Sequence, residues 1–521
     1  MKRNMFKTFL FVSASALLLA SCKKQLEVQP TASVDEETAL KTKLGIEANI
    51  TGLYNDLKAQ VVYGRDMITH PEALADNGHA TNHSGRLVAE ARNTIPTAAA
   101  NSFINWQQLY YTINHANLIL EALQNNASIV PSPTAVELAR WEGQVRFVRA
   151  LCYFNLARIY AYIPGAVVAA QDRGGVPIML TGIRSSQQAT TAKPTRGTIA
   201  DVYTQIYADL TIAEAKLLNT EPDGIFRGNK PAAQALFALV ALYNKDYAKA
   251  KAMADLAIAT RGSSLTTLAN TVSGWRSTSH PESMFEVAFS TAAESLGVNV
   301  SIASSFTSLT APGNTTVAGW GDLGAHRSLL ADLGITLTAP ANYGVTSASI
   351  ASRGPDVRNL LFELGSPGRG VVFVECTKFI SKSGGVNTYA DHIPVLRVAD
   401  LYLIRAEAAC ADPAAPTYNL ANALADLKRI KSNRITGYTG SAEETADNAM
   451  GQAALFNEVI RQRRIEFAME GHRFFDLKRL GRDLLKSPTY SDVLFNDFRI
   501  LPPIPQNDIS LNPNLKQNFG Y

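Results

Sequence analysis

One stretch limits what this chain can fold into more than any other. From Arg461 to Gly481 it interleaves five arginines with carboxylates and aromatic rings at helical spacing. Ile460, Phe467 and Phe474 fall on one side of a helical wheel, with Ile465 and Ala468 close by. Glu466 and Glu470 sit one turn apart, and Arg463, three residues before Glu466, can pair with it on one face. Gly471 is a helix stop, and Arg473, Asp476 and Arg479 follow on a second short helical turn. Two carboxylates one turn apart could serve as a general acid and base. That chemistry needs a raised pKa, from an apolar pocket or a like charge. Neighbouring guanidiniums push carboxylates the other way. The stretch therefore reads as a structural charge network that ties two helical pieces together.

Four further blocks carry a pattern. The stretch R-R-x-E-F-x-x-E-G-x-R-x-x-D-L-x-R-x-G, ending at Gly481, resembles the carboxy-terminal signature of the SusD/RagB family. The tail from Pro503 to Tyr521 is similar to that family's closing I-P-x-x-E-x-x-x-N-P-x-L-x-Q-N-P-G-Y, departing at Asp508 (Glu) and Phe519 (Pro). Trp106, Leu109, Tyr110, Ile113, Asn114, Ala116 and Asn117 resemble its second helix. Arg146 to Arg158 resembles its R-x-L-R-A-x-x-Y-F-x-L block except at Val148, and Arg397 to Ala408 its R-x-A-E-x-Y-L-x-x-A-E-A block with Asp400 for Glu.

The resemblance implies an outer-membrane nutrient-binding lipoprotein of the Bacteroidetes. It implies a mainly α fold, in which tetratricopeptide-like helix pairs form a scaffold and a loop-rich excursion carries short strands. It implies an oligosaccharide ligand, or in some members a peptide, and delivery to a SusC-like TonB-dependent transporter. It also implies a ligand face built from loops.

The start of the chain agrees with export. Lys2, Arg3 and Lys7 precede an apolar run from Phe9 to Ala20. About twelve residues are too few to span a bilayer as a helix. Residues 1–21 read as a signal peptide, and Leu19-Ala20-Ser21-Cys22 resembles a lipobox, with Cys22 the lipidated residue. More than one acyl chain makes such anchoring stable. Residues 22–38 are polar, with Pro30, and read as a tether; 39–521 read as one domain. Surface exposure at the outer membrane is what the family implies.

Within that domain, residues 39–262 read as a helical part. Helices are expected over Ala39–Leu57, Asn101–Leu123, Glu137–Tyr162 and Thr198–Leu218, with an irregular polar segment over Val61–Ala98. Asn229 to Thr260 is the clearest repeat unit: two helices flank an Asn244–Tyr247 turn, with Ala238, Tyr247, Ala250 and Ala257 at tetratricopeptide positions. Residues 394–521 form a second helical part, with a pair over Val398–Ala411 and Tyr418–Lys431. Residues 263–393 differ. They are rich in Gly, Ser, Thr and Pro, with short strands over Met284–Phe289 and Val371–Phe379. Long loops inside an ordered domain usually carry function.

Charge adds an exclusion. The formal net charge is +4, and loss of Lys2, Arg3 and Lys7 brings it to about +1, with no basic excess that would suit nucleic acid. Cys152 and Cys410 lie in apolar helical runs and, with Cys376, read as free thiols rather than a disulfide framework. His70, His79, His83 and His115 match no metal-ligand spacing, and no calcium loop, G-x-S-x-G or phosphate-binding loop occurs. No cofactor is expected.

Sugars are gripped by aromatic faces and by a few oriented polar groups. The candidate ligand residues are Trp320, between Gly319 and Gly321, with Trp275, Tyr343 and Phe306, and in the amino-terminal loop Asp76, Asn77, His79 and Arg86. Trp275 precedes Pro281-Glu282 and a strand, so a core position is the simpler reading for it. Asp322 and Glu363 would be the carboxylates of a glycosidase, if separated as that chemistry needs. The expected function is non-catalytic glycan binding. The rivals are a peptide-binding member of the same family, a lipoprotein glycan hydrolase and a helical adaptor that binds only protein.

Overall fold

The structure, a computed structural model, describes residues 36–94, 104–339, 349–381 and 388–521. The expected signal peptide, Cys22, most of the expected tether and Tyr343 lie outside the described residues.

The scaffold is a run of paired helices. In order these are α1 (Lys43–Asp56), α2 (Asp66–Leu74), α3 (Asn105–Gln124), α4 (Ala135–Tyr160), α5 (Ile199–Lys216), α6 (Lys230–Tyr243), α7 (Tyr247–Arg261), α8 (Val398–Cys410), α9 (Leu420–Ser432), α10 (Gln452–Glu466), α11 (Arg473–Arg479) and α12 (Gln506–Leu511). The starts are written in the sequence. Thr134 and Glu137 close a capping box on α4, as Thr198 and Asp201 do on α5. Asn229 caps α6 with Pro231 in its first turn, and the Asp246 side chain caps α7.

α6 packs on α7, α4 on α5, and α8 on α9. Ala238 and Ala241 of α6, and Ala250, Ala254 and Ala257 of α7, are fully buried. Small side chains let the paired backbones approach, so the alanine-rich faces do the work that large aromatics do in other repeats. Among the described residues no helix is long and apolar enough to cross a membrane.

The excursion contributes small sheets. Its strands include, with one from the amino-terminal part, β1 (Gly78–Ala80), β2 (Ser283–Val287), β3 (Leu323–Ala325), β4 (Phe362–Leu364), β5 (Val374–Cys376) and β6 (Ile393–Arg397), beside two small hairpins, Leu309–Ala311 with Asn314–Val317 and Ile335–Leu337 with Ile350–Arg353. β1, β3, β5 and β4 form one antiparallel sheet in that spatial order, and β6 pairs with β2. Pairing of β1 with β3, Gly78 to Ala325 and Ala80 to Leu323, stitches the amino-terminal segment to the excursion.

The arginine-rich stretch lies at the junction of these parts. α10 ends at Glu466, the chain turns through Gly471 at φ +83°, and α11 begins at Arg473. The Glu466 carboxylate accepts from Arg358, Arg397 and Arg434 at 3.0 to 3.2 Å. Glu470 accepts from Lys378 at 2.6 Å and from Arg397 at 2.9 Å. The two are therefore parts of a buried charge network. Arg463 does not pair with Glu466 as its spacing suggests. It turns to Asp476, at 2.9 Å, because α11 folds back and brings that carboxylate closer.

Residues 61–94 are the main departure from the sequence reading. They are not a loose loop: they hold a π-turn, α2, β1 and a short helix over Val88–Arg92. Glu72, Asp76 and Asn77 are buried by the same network. Glu72 accepts from the backbone N–H groups of Met469 and Gly471, and Arg464 and Arg473 reach Asp76. Buried charge in place of buried hydrocarbon hides the usual helical periodicity.

Candidate ligand face around Trp320

Trp320 sits on a turn between a short β-hairpin and β3. The local sequence forces that geometry. Glu375 of β5 is fully buried beneath the turn and accepts from the Ser308 N–H at 2.6 Å and from the hydroxyls of Ser308 and Thr307. Gly321 has φ +58°, and a Cβ there would stand 2.2 Å from a Glu375 oxygen. Only glycine permits both the left-handed turn and the close approach. Burial pushes the Glu375 carboxyl up to about 7, against the donors of Ser308 and Thr307.

The four successive carbonyls of the turn each take a side-chain partner. Tyr389 donates to Ala318 O at 3.1 Å. Arg369 donates to Gly319 O at 2.6 and 2.9 Å. A ring nitrogen of His83 lies 2.9 Å from Trp320 O, and Thr81 donates to Gly321 O at 2.7 Å. Three distant segments thus clamp one turn. The half-buried indole is presented on a fixed backbone, so little order is lost on binding.

Cations and amides surround the indole. The Arg369 guanidinium lies 4.1 Å from the ring centroid and that of Arg86 lies 6.0 Å away. The indole N–H donates to Asn299 at 3.2 Å. Arg86 is held by Asp322 at 2.7 Å, and Asp322 also accepts from Ser84 at 2.5 Å. The face is a part-buried indole with the Arg369 and Arg86 guanidiniums over it and Asn299 at its N–H, an aromatic and polar mixture of the kind a ligand site uses.

The other candidates take different places. Trp275 is only 3% exposed and packs on His280 and Phe379, with Lys378 over its ring, so the core reading holds for it. Phe306 is fully buried against Phe379. Asp76 faces Arg473 and Arg464, whose charges outweigh its burial and keep its carboxyl well below the usual range. Asn77 donates to Glu72 and accepts from Arg464, away from solvent. His79 lies between the rings of Phe373 and Tyr490, where burial and neighbouring His326 push it down to about 3. Of the named set, the structure brings Trp320 and Arg86 together. Asn299, Arg369 and Tyr389 join them without having been singled out. Arg369 stands fifty positions beyond Gly319 in sequence, and no periodicity links the two.

Both carboxylates imagined as a glycosidase pair are engaged by the protein itself. Asp322 is 1% exposed and engaged by Ser84 and Arg86. Glu363 is on β4, with β5 between it and β3, and it accepts from the Gly313 N–H. Among the described residues no cluster of His, Cys, Asp and Glu stands at metal-binding geometry.

Two family models match the chain. One, described as the SusD family, covers residues 371–521, and another, described as starch-binding associating with outer membrane, covers residues 24–242. The chain belongs to the SusD/RagB family. SusD-like protein P2 of Formosa agariphila is 24% identical over 97% of this chain and 98% of its own length. Matches to two further SusD-like proteins of that organism span 28% and 47% of their lengths. A SusD superfamily protein of Bacteroides thetaiotaomicron superposes with a TM-score of 0.74 at 22% identity, covering 93% of this chain and all of the other. A laminarin binding SusD-like protein superposes with a TM-score of 0.63 at 20% identity over 92% of this chain and all of the other. In this SusD/RagB chain the two matched stretches supply Thr81, His83, Arg86 and Tyr389. The unmatched stretch between them supplies Asn299, Trp320 and Arg369.

Proposed function

We propose that the protein binds an oligosaccharide at the Trp320 face without transforming it, and passes it to a SusC-like TonB-dependent transporter at the outer membrane, to which Cys22 anchors it by lipid. The observation that carries this reading is the clamped Gly319–Trp320–Gly321 turn, with Arg86, Arg369 and Asn299 around its indole. Aromatic stacking on C–H faces and donors for hydroxyls are what a sugar needs. The laminarin-binding relative and the starch-binding family description support a glycan over a peptide. The internal engagement of Asp322 supports binding over hydrolysis, since general acid–base work needs a carboxylate free to face substrate.

A glycan array probed with the mature protein tests the first half. Each hit is then incubated with the protein and assayed for released reducing ends. Saturable binding with intact ligand is expected; turnover, or a peptide preferred over every glycan, would replace this reading. For the second half, a TonB-dependent transporter is expected to copurify with the lipidated protein from outer membranes.

A further inference from the structure

The Trp320 face narrows the class of sugar that suits it. Two guanidiniums stand over one indole, that of Arg369 at 4.1 Å and that of Arg86 at 6.0 Å from the ring centroid. Each is held through Nε and Nη2. Arg369 gives both to Gly319 O, and Arg86 gives both to the Asp322 carboxylate. Among the described residues nothing accepts a hydrogen bond from the Nη1 of either, and neither Nη1 is sealed from solvent. The Arg86 side chain is 26% exposed. Two guanidinium edges, oriented by a ring and by fixed acceptors, are thus left for a ligand.

The neighbouring charges decide which ligand gains from those edges. Arg86 is balanced by Asp322 at 2.7 Å. Among the described residues no carboxylate lies within ion-pair distance of Arg369. The carboxylates that adjoin the turn are closed to a ligand: Asp322 is 1% exposed, and Glu375 is fully buried and bonded to Ser308 and Thr307. Burial also pushes the Glu375 carboxyl up to about 7, so it is only partly ionised at neutral pH. Glu363 and Asp391 act on Arg276 instead, and Glu363 on Arg353 as well. What reaches solvent beside the indole is therefore cationic.

We infer that this face selects an acidic glycan, whose carboxylate or sulfate accepts from the open Nη1 groups of Arg369 and Arg86. A guanidinium stacked on an aromatic ring keeps its N–H edge available to an anion lying in its own plane. Hydrogen bonds to a charged acceptor are shorter and stronger than those to a hydroxyl. A neutral sugar meets the same donors without that gain. The inference rests on glycan binding at Trp320 and adds the charge of the ligand to it.

The test is a glycan array probed with the mature protein, carrying oligogalacturonates, alginate oligosaccharides and sulfated galactans beside neutral laminarin and starch oligosaccharides. Acidic members are expected to dominate the hits. Each acidic hit is then titrated calorimetrically beside its methyl-esterified or desulfated form, which separates carboxylate from sulfate recognition. The acidic form is expected to bind at least about tenfold tighter at low salt, since a charge-assisted hydrogen bond is roughly twice as strong as a neutral one. That advantage is expected to shrink as salt screens the exposed charges.

Arg369→Gln is expected to bring the ratio of acidic to neutral affinity towards parity, whereas Arg369→Lys, which keeps the charge, is expected to keep most of it. Val371→Glu sets a new carboxylate beside Arg369 on a side chain that is 42% exposed. It is expected to lower the same ratio even if Arg369→Gln unsettles the turn. Neutral glycans bound at this face with no gain for acidic ones would overturn the charge assignment and leave glycan binding standing, whereas no glycan bound at all would remove both. An acid preference left unchanged by Arg369→Gln and Val371→Glu would place the anion elsewhere and overturn the assignment too.

Discussion

Replacing Glu466 by Gln removes one charge from the buried network without changing side-chain volume. Its carboxylate accepts four hydrogen bonds, from Arg358, Arg397 and twice from Arg434. It is 4% exposed, and Arg397 and Arg434 are 1% exposed. Gln keeps one acceptor oxygen and turns an amide NH₂ towards a guanidinium. Breaking a buried ion pair by altering one partner typically costs about 3–5 kcal/mol, because the remaining charges stay buried and uncompensated. Against a total stability of roughly 5–15 kcal/mol, that is a large fraction. Burial opposes ionisation of Glu466, yet Arg434, Arg397 and Arg358 outweigh it and hold its pKa well below the ordinary value. The contribution is therefore complete above the unfolded-state pKa and is lost as pH falls towards the folded one, so variant and parent should converge in acid. Urea unfolding followed by circular dichroism at pH 7 and in steps to well below pH 4 measures both effects, since near pH 4 the unfolded carboxyl has only begun to protonate. The exposed pair of Arg184 and Glu121, 47% and 28% exposed, supplies the control; Arg184→Ala should cost at most about 1 kcal/mol. A loss at pH 7 no larger for Glu466→Gln than for that control would refute the reasoning.

Three more perturbations separate the parts of the structure. Glu375 has a folded pKa raised to about 7, so it favours folding while protonated and loses that contribution as pH climbs from the unfolded value through 7. Glu375→Gln should therefore gain on the parent by about 1–3 kcal/mol between pH 5 and pH 8 in thermal melts, and an unchanged difference would dismiss the effect. Gly321→Ala forces a Cβ onto Glu375 at positive φ, and about 1–3 kcal/mol of strain is expected, together with weaker glycan binding; full binding would show that the turn need not be rigid. Trp275→Ala empties a core position and should cost about 3–5 kcal/mol in urea unfolding; a loss under about 1 kcal/mol would move Trp275 out of the core.

Much of the scaffold is legible in the residues because its forces are local. Caps such as Thr134 and Asn229 and the alanines of α6 and α7 each act within a few positions, whereas the carboxylates at the end of α10 take their partners from Arg358, Lys378, Arg397 and Arg434, far off in sequence. The segment 61–98 escapes such reading. Glu72 of its helix α2 is met by the N–H groups of Met469 and Gly471, and Asp76 just beyond that helix by Arg464 and Arg473, about four hundred positions downstream, so its polar composition mimics a loop. The ligand face is legible only at its centre. Gly319 and Gly321 mark the Trp320 turn locally. Tyr389, Arg369 and Thr81, which hold its carbonyls, arrive through tertiary pairings that no short-range pattern encodes. Asp76 and Asn77 misled for the same reason: side chains that suit a sugar also suit a buried arginine.

The most direct test of the glycan-binding reading is the affinity of Trp320→Ala for a glycan that binds the parent, measured by isothermal titration beside a thermal melt. Loss of one stacking aromatic should weaken binding by at least about tenfold, the equivalent of about 1.4 kcal/mol, while the melt stays within about 2 °C, as a half-exposed ring on a clamped turn requires. An affinity equal to the parent's, with the fold intact, would place the ligand elsewhere and end the case for this face.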